Sequence, residues 1–265
     1  MTALSMTVAD GLTITRRNLI KVKRVPDLIV FATLSPIMFV VLFRFVFGGA
    51  IEVPGNISYA EFLLPGIFAQ TVIFGSTITG ASIADDLQKG LIDRFRSLPM
   101  APSAVLIGRT AADVALNALS IAVMAFTGLL VGWRINSSLV EAIGGFLVLL
   151  GFAYAMSWLM AQVGLMVRTP EVVQNASFIV IFPITFVANT FVPLETFPSV
   201  LRTFAEWNPV SAVVQSARNL FGNSFGAPDV WSLQHPVLYS ALWGVVILAV
   251  FVPLSVRTYQ RTASR

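Results

Sequence analysis

Cysteine is absent from the 265 residues, and histidine occurs once, as His235. Disulfides, thiolate metal sites, iron–sulfur clusters and cysteine nucleophiles are therefore excluded, as is any chemistry that needs a pair of imidazoles. Charge is scarce as well. Asp, Glu, Lys and Arg make up 11% of the chain, against about 25% in soluble domains, which is too little to coat a water-facing surface or to keep a chain disordered. A phosphate-gripping Walker loop needs Gly directly before Lys, and the three lysines follow Ile20, Val22 and Gln88, so no ATP site of that kind exists here.

Apolar residues supply 56% of the sequence, and they fall in runs long enough to cross a bilayer, about 20 residues each. Six runs qualify, near 28–48, 62–84, 105–133, 142–167, 172–192 and 237–256. They are too long for barrel strands and lack the alternation of a barrel. The 27 polar-rich residues before the first run, and its length, argue against a removable signal peptide. The fold expected is an all-α integral membrane protein with six transmembrane helices.

Positive charge sets the orientation. With the N-terminus inside, Arg16, Arg17, Lys21, Lys23, Arg24, Lys89, Arg94, Arg96, Arg109, Arg168, Arg257, Arg261 and Arg265 fall on the cytoplasmic side. These are 13 of the 17 basic residues. Arg134, Arg202 and Arg218 fall outside, and Arg44 snorkels near the outer end of the first span. Both termini are then cytoplasmic. The domain plan is a cytoplasmic N-terminal segment (1–27), a transmembrane domain (28–256) and a short tail (257–265). No internal repeat is visible, which argues against an inverted-repeat transporter.

Three connecting stretches carry pattern. In the N-terminal segment Val8, Leu12, Thr15, Leu19 and Val22 recur at helical spacing beside a basic cluster, which predicts an amphipathic helix on the inner leaflet. In the inner loop, 85–104, Leu87, Leu91, Phe95 and Leu98 make one apolar stripe, with charges of both signs off it and Pro99 and Pro102 stopping the helix. Mixed charge favours a protein groove over lipid as the place for that stripe. In the outer segment, 193–236, Phe197, Leu201, Phe204 and Trp207 form one short stripe. Val210, Val213, Val214, Ala217 and Phe221 form a second, with Asn208-Pro209 between them. Two short helices covered by protein are expected.

Polar groups inside spans are functional candidates. Arg109 and Asp113 stand one turn apart, the spacing of an intramembrane ion pair. Gly66, Gln70, Thr77, Gly80 and Ala84 share one face of the second span, where small residues permit close helix packing. Asn175, Phe178, Phe182, Phe186 and Asn189 share one face of the fifth, suited to an amphipathic ligand, with Pro183 beside them. Asp85-Asp86 has no second carboxylate cluster with which to hold a metal, and is read as the start of a helix with favourable dipole charge. No metal site is expected. Gly75-Ser76 and Ala81-Ser82 lack an imidazole within the spans, so a membrane serine protease is not supported.

The chain resembles the ABC-2 exporter permeases, most closely the daunorubicin-resistance type. The resemblance rests on Tyr59-Ala-Glu-Phe-Leu-Leu-Pro65-Gly66, on Asp86-Leu-Gln-Lys-Gly90-Leu-Ile-Asp93-Arg94-Phe-Arg96-Ser-Leu-Pro99-Met100 with Gly108-Arg109 and Asp113, and on Asn208-Pro209. It implies a multi-pass permease subunit of the cell membrane, of bacterial inner-membrane type, that moves a drug- or antibiotic-like amphipathic substrate outward. The energy would come from two copies of a separate ABC ATPase subunit, which holds ATP and Mg while this chain binds no cofactor. A second permease subunit, identical or different, would complete the exporter. Lipid is its other partner, and nucleic acid is not one. Asp86, Lys89, Gly90, Leu91, Asp93, Arg94, Phe95 and Arg96 would form the coupling helix seated on the ATPase. Gln70, Thr77, Asn175, Phe178, Phe182, Phe186 and Asn189 are candidates for the substrate path. Related permeases move lipids, glycolipids or polysaccharides, so such an exporter is the alternative; a membrane enzyme acting on lipid fits less well.

A direct consequence of the missing Gly-Lys pair is that the purified chain alone should hydrolyse no ATP. Vanadate-sensitive phosphate release by the isolated protein is the measurement that would contradict this.

Overall fold

The computed structural model describes residues 3–24, 26–49, 51, 53, 57–91, 102–167, 169–226 and 229–262. Regular structure among them is helical throughout. Helix α1 (Ala3–Arg24) leads into α2 (Pro26–Leu42), which continues as a π turn over Phe43–Phe47. α3 (Tyr59–Gly75) and α4 (Thr77–Gln88) are nearly continuous, and are followed by α5 (Pro102–Leu130), α6 (Leu139–Met166) and α7 (Pro170–Phe186). The outer segment folds as α8 (Ser199–Trp207), α9 (Pro209–Phe221) and the short α10 (Trp231–Gln234), and α11 (Pro236–Thr262) closes the chain.

Four helices are long and apolar enough to cross a membrane: Tyr59–Gln88, Ser103–Leu130, Leu139–Met166 and Pro236–Arg261. Leu34–Val46 and Pro170–Phe186 are shorter apolar helices. Helix starts follow local chemistry. Ser58 with Glu61 and Ser138 with Glu141 are capping boxes, in which the serine accepts from the third backbone N–H and the glutamate returns to the serine N–H. Thr169 caps α7 ahead of Pro170, and Asn208 caps α9 ahead of Pro209.

The main core lies where α3 passes between α5, α6 and α9. Phe62, Phe68, Trp133, Phe146 and Phe221 interlock there, with Trp133 and Phe68 edge-to-face at 5.3 Å. A smaller core at the opposite end joins Ile83, Leu106, Trp158 and Tyr259. The small residues of the second span do bring backbones close, against two different neighbours. A Cβ on Gly66 would sit 2.5 Å from the Thr190 carbonyl oxygen, and one on Gly80 would sit 2.6 Å from that of Met160. From the other side, a Cβ on Gly164 of α6 would collide with the Gly80 carbonyl.

Three expectations change. α1 is not held by lipid alone: Gly11, Ile14 and Asn18 are buried against the start of α5, leaving Leu12, Leu19 and Ile20 exposed. Asp85 and Asp86 lie in the last turn of α4, the unfavourable dipole end, because the small-residue stripe carries the helix through them. The stripe from Leu87 to Leu98 is not one helix. α4 ends at Gln88, and Gly90 takes φ +63° after it, the left-handed turn that ends helices and suits glycine. Residues 193–236 form two short helices at the two expected stripes, but only α9 is covered by protein; α8 leaves Leu201, Phe204 and Trp207 exposed.

Gly164→Ala is expected to cost about 1–3 kcal/mol through overpacking. Gly151→Ala, where a Cβ meets nothing within 4 Å, should cost nothing. Thermal unfolding of both variants in one detergent checks the contrast.

Candidate functional site

α7 stands at the edge of the bundle. Only Val173, Ser177, Ile181 and Thr185 are buried, a single stripe against α4 and α3. The face singled out from sequence therefore divides. Asn175 is exposed, Phe178 and Phe182 are 53% and 37% exposed, and Phe186 is half-buried. Asn189 lies beyond the helix end at 3% exposure, its Nδ2 donating to Gln215 Oε1 at 3.2 Å.

The three phenylalanines are part of a longer ladder. Phe74 of α3 meets Phe178 at 6.0 Å between ring centroids, Phe178 meets Phe182 at 4.9 Å, and Phe182 stacks on Phe186 at 4.1 Å. Phe186 meets Phe191 at 4.9 Å, Phe191 stacks on Phe43 at 4.7 Å, and Phe43 on Phe39 at 5.9 Å. Seven rings from four segments thus make one continuous apolar, polarizable strip along α7 and across to α2. Of these, Phe74, Phe191, Phe43 and Phe39 were not legible in the spacing within a single span. Gln70 is withdrawn from the strip at 9% exposure, and the Thr77 hydroxyl is spent on the Phe74 carbonyl at 2.7 Å.

Irregular backbone after α7 is closed by side chains. Asn208 Nδ2 donates to the Ile184 and Val187 carbonyls at 2.7 and 2.9 Å, while its Oδ1 accepts from Val210 N at 2.9 Å. Arg218 of α9, 1% exposed, donates through Nε to the Phe62 carbonyl at 2.9 Å and through Nη2 to those of Asn189 and Thr190 at 2.6 and 3.2 Å. Its guanidinium also lies 3.7 Å from the Phe62 ring centroid. Arg218, counted from sequence among the outside charges, is buried and serves as an internal strut. The available signal was its place four residues after Val214 on the apolar stripe.

At the other end, a narrow crevice is lined by Arg17 and Asn18 of α1, Asp86 of α4, Arg109 of α5 and Tyr259 of α11. Arg109 Nη1 reaches Asn18 Oδ1 at 3.5 Å. The expected ion pair is not made: among the described residues Arg109 and Asp113 share no direct contact, because Asp113, 4% exposed, turns to Ser157 and Asn117. Beside the crevice, Lys89 pairs with Asp85 at 2.7 Å, and that carboxylate raises the Lys89 pKa. Leu91 is half-buried. Asp93, Arg94, Phe95 and Arg96 lie outside the described residues. No group of three or more potential metal ligands occurs among the described residues.

Residues 11–221 match the family described as ABC-2 type transporter. The chain is 34% identical over 258 residues to the daunorubicin resistance ABC transporter permease protein DrrB1 of Streptomyces coeruleorubidus, covering 97% of this chain and 88% of that one. It is 26% identical over 263 residues to the probable doxorubicin resistance ABC transporter permease protein DrrC of Mycobacterium tuberculosis, covering 99% and 92%. It is 24% identical over 250 residues to a putative transport permease, ycf38, of Porphyra purpurea, covering 90% and 81%.

Arg218→Met keeps side-chain length and takes the Arg218 donor from the Asn189 and Thr190 carbonyls, each worth on the order of 1–3 kcal/mol when buried and unpaired. It should destabilise the protein far more than Arg202→Met, which breaks a surface pair with Glu206 worth about 0–1 kcal/mol. Equal melting temperatures for the two variants would contradict the strut.

Proposed function

The chain belongs to the ABC-2 type transporter family, and on that premise we propose that it is the permease subunit of an exporter that carries amphipathic, drug-like molecules outward across a bacterial inner membrane. Two copies of an ABC ATPase subunit would supply the energy, and a second permease subunit would enclose the path. Six crossings are proposed: the four long apolar helices, α2 with its π turn, and α7, which at 17 residues is about 26 Å long. Both termini would be cytoplasmic. α1, the end of α4, the start of α5 and the end of α11 meet at one crevice, which supports a common side for them.

The observation that carries the substrate reading is the aromatic ladder. A strip of contacting rings without charge, exposed at Phe39, Phe178 and Phe182, offers polarizable contact to planar or amphipathic molecules, with Asn175 as an exposed hydrogen-bonding group at its inner end. Relatives are named for resistance to daunorubicin and doxorubicin, and molecules of that chemical kind are the substrates proposed. Coupling is assigned to the segment that follows Gly90. Leu91 and Phe95 would be its buried anchors, with Asp86, Lys89, Asp93, Arg94 and Arg96 around them. A Phe buried in such a groove is worth on the order of 2 kcal/mol.

The test uses the chain co-purified with its ATPase subunit and reconstituted in vesicles, with daunorubicin and doxorubicin as probes. Phe182→Ala and Phe186→Ala should alter the ratio of the two transport rates while leaving the ATPase bound. Phe95→Asp should abolish ATPase pull-down and export, whereas Arg94→Ala should weaken them several-fold at most, since an unpaired buried carboxylate costs more than an exposed pair. Parent-like export of both probes by both phenylalanine variants would remove the ladder from the path. Parent-like coupling by Phe95→Asp would remove that segment from the ATPase contact.

A further inference from the structure

Ser157 of α6 is fully buried, and its hydroxyl reaches two oxygens, the Ala153 carbonyl at 2.9 Å and Asp113 Oδ2 on α5. A hydroxyl carries one proton. With Asp113 as a carboxylate, both neighbours are acceptors and one of the two contacts has no hydrogen in it. With Asp113 as the neutral acid, both contacts hold a hydrogen: Asp113 donates to Ser157, and Ser157 donates to Ala153. Two further polar groups face the acid: Asn117 Nδ2 donates to the Asp113 main-chain carbonyl at 3.1 Å and to Oδ2 at 3.3 Å, and the Thr79 hydroxyl of α4 lies beside the carboxyl. No cation among the described residues pairs with the acid, and a buried carboxylate without one costs several kcal/mol.

The charges around it are few. Arg109 on the same helix is the charged neighbour whose field reaches Asp113. Arg109 in turn is surrounded by Asn18, by Asp86 of α4 and by Arg17 of α1 in the crevice. α6 contributes Ser157, α4 contributes the Thr79 hydroxyl, and α11 brings Tyr259 to the crevice, none of them charged.

We propose that Asp113 is a proton-binding site: in this conformation its carboxyl holds a proton and donates it to Ser157, and when α5 and α6 part it passes that proton to water. The O–H bond of the acid breaks, the proton leaves as hydronium, and the carboxylate left behind is compensated by Arg109, one helical turn away and suitably spaced for an i,i+4 pair. Binding of the proton stands on the hydrogen-bond geometry. Its release rests on the transport reading above, and the two experiments separate them.

The first experiment is infrared spectroscopy of the full chain in lipid nanodiscs at neutral pH, unlabelled and with ¹³C in the aspartate carboxyls. A carboxylic-acid C=O band is expected that shifts with the aspartate label, disappears in Asp113→Asn and moves in Ser157→Ala. Either variant suffices if the other fails to fold. A labelled parent without an aspartic-acid band, or a band untouched by both substitutions, overturns proton binding. The second uses the reconstituted complex with its ATPase and daunorubicin as probe. Asp113→Asn, which copies the neutral acid and cannot ionise, should keep the parent's melting temperature and ATPase binding, yet lose at least tenfold in export. Export at the parent rate at every pH overturns release and leaves the infrared result intact. A parent that exports nothing overturns the transport reading, and release with it.

Discussion

A carbonyl without water beside it must find a donor within the protein, and the chain leaving α7 has several such carbonyls in a row. Thr190 serves the Thr185 carbonyl, Asn208 serves those of Ile184 and Val187, and Arg218 serves those of Asn189 and Thr190. The same Arg218 reaches the Phe62 carbonyl in α3. One set of side chains thereby fixes the end of α7, the start of α3 and the whole of α9 relative to each other. A cation is well placed there, since the C-terminal end of a helix carries partial negative charge. No carboxylate pairs with Arg218 among the described residues; its charge is spread over three carbonyls and the Phe62 ring.

That cap explains why part of the aromatic strip can stay exposed. α7 contributes one narrow stripe to the core, yet its end is anchored by hydrogen bonds rather than by apolar burial. Its remaining surface is free to present Phe178, Phe182 and Phe186. The strip gains order from ring contacts worth about 0.5–1.5 kcal/mol each, and from Phe191 and Phe43, which continue it where the cap holds the backbone.

Much of this was readable in the sequence, because hydrophobic run length and helical stripes report directly on burial. The helices α8 and α9, the Asn208-Pro209 boundary between them and the small-residue face of the second span all followed from spacing. What spacing could not show was which neighbour a polar residue would choose. Arg109 and Asp113 have ion-pair spacing, but α1 supplies Asn18 to one and α6 supplies Ser157 to the other, and both choices depend on helices distant in the chain. The burial of Arg218 was hidden for the same reason: a basic residue in a connecting segment looks solvated until the carbonyls around it are known. Asp85 and Asp86 were assigned to the wrong helix end because a small-residue stripe gives no stop signal before Gly90.

α3 and α4 tie the two ends together. They form one rod of 30 residues, Tyr59–Gln88, about 45 Å long, broken only at Gly75–Ser76. At one end Phe62 receives Arg218; at the other Asp86 lines the crevice and Gly90 takes the left-handed turn that ends the rod. At the break, Phe74 begins the ladder, Asn117 lies so close that a Cβ on Gly75 would strike its side-chain oxygen, and Ser76 and Thr77 bond back to the preceding turn. Four residues further on, Gly80 lies backbone to backbone with Gly164 of α6, with no side chain between them to yield. Packed interiors shift between discrete arrangements rather than deforming smoothly. The rod is thus packed most tightly at Gly80, four residues from its interruption at Ser76, between the Asp86 end and the aromatic strip. Asn117 and its partner Asp113 are packed against that interruption.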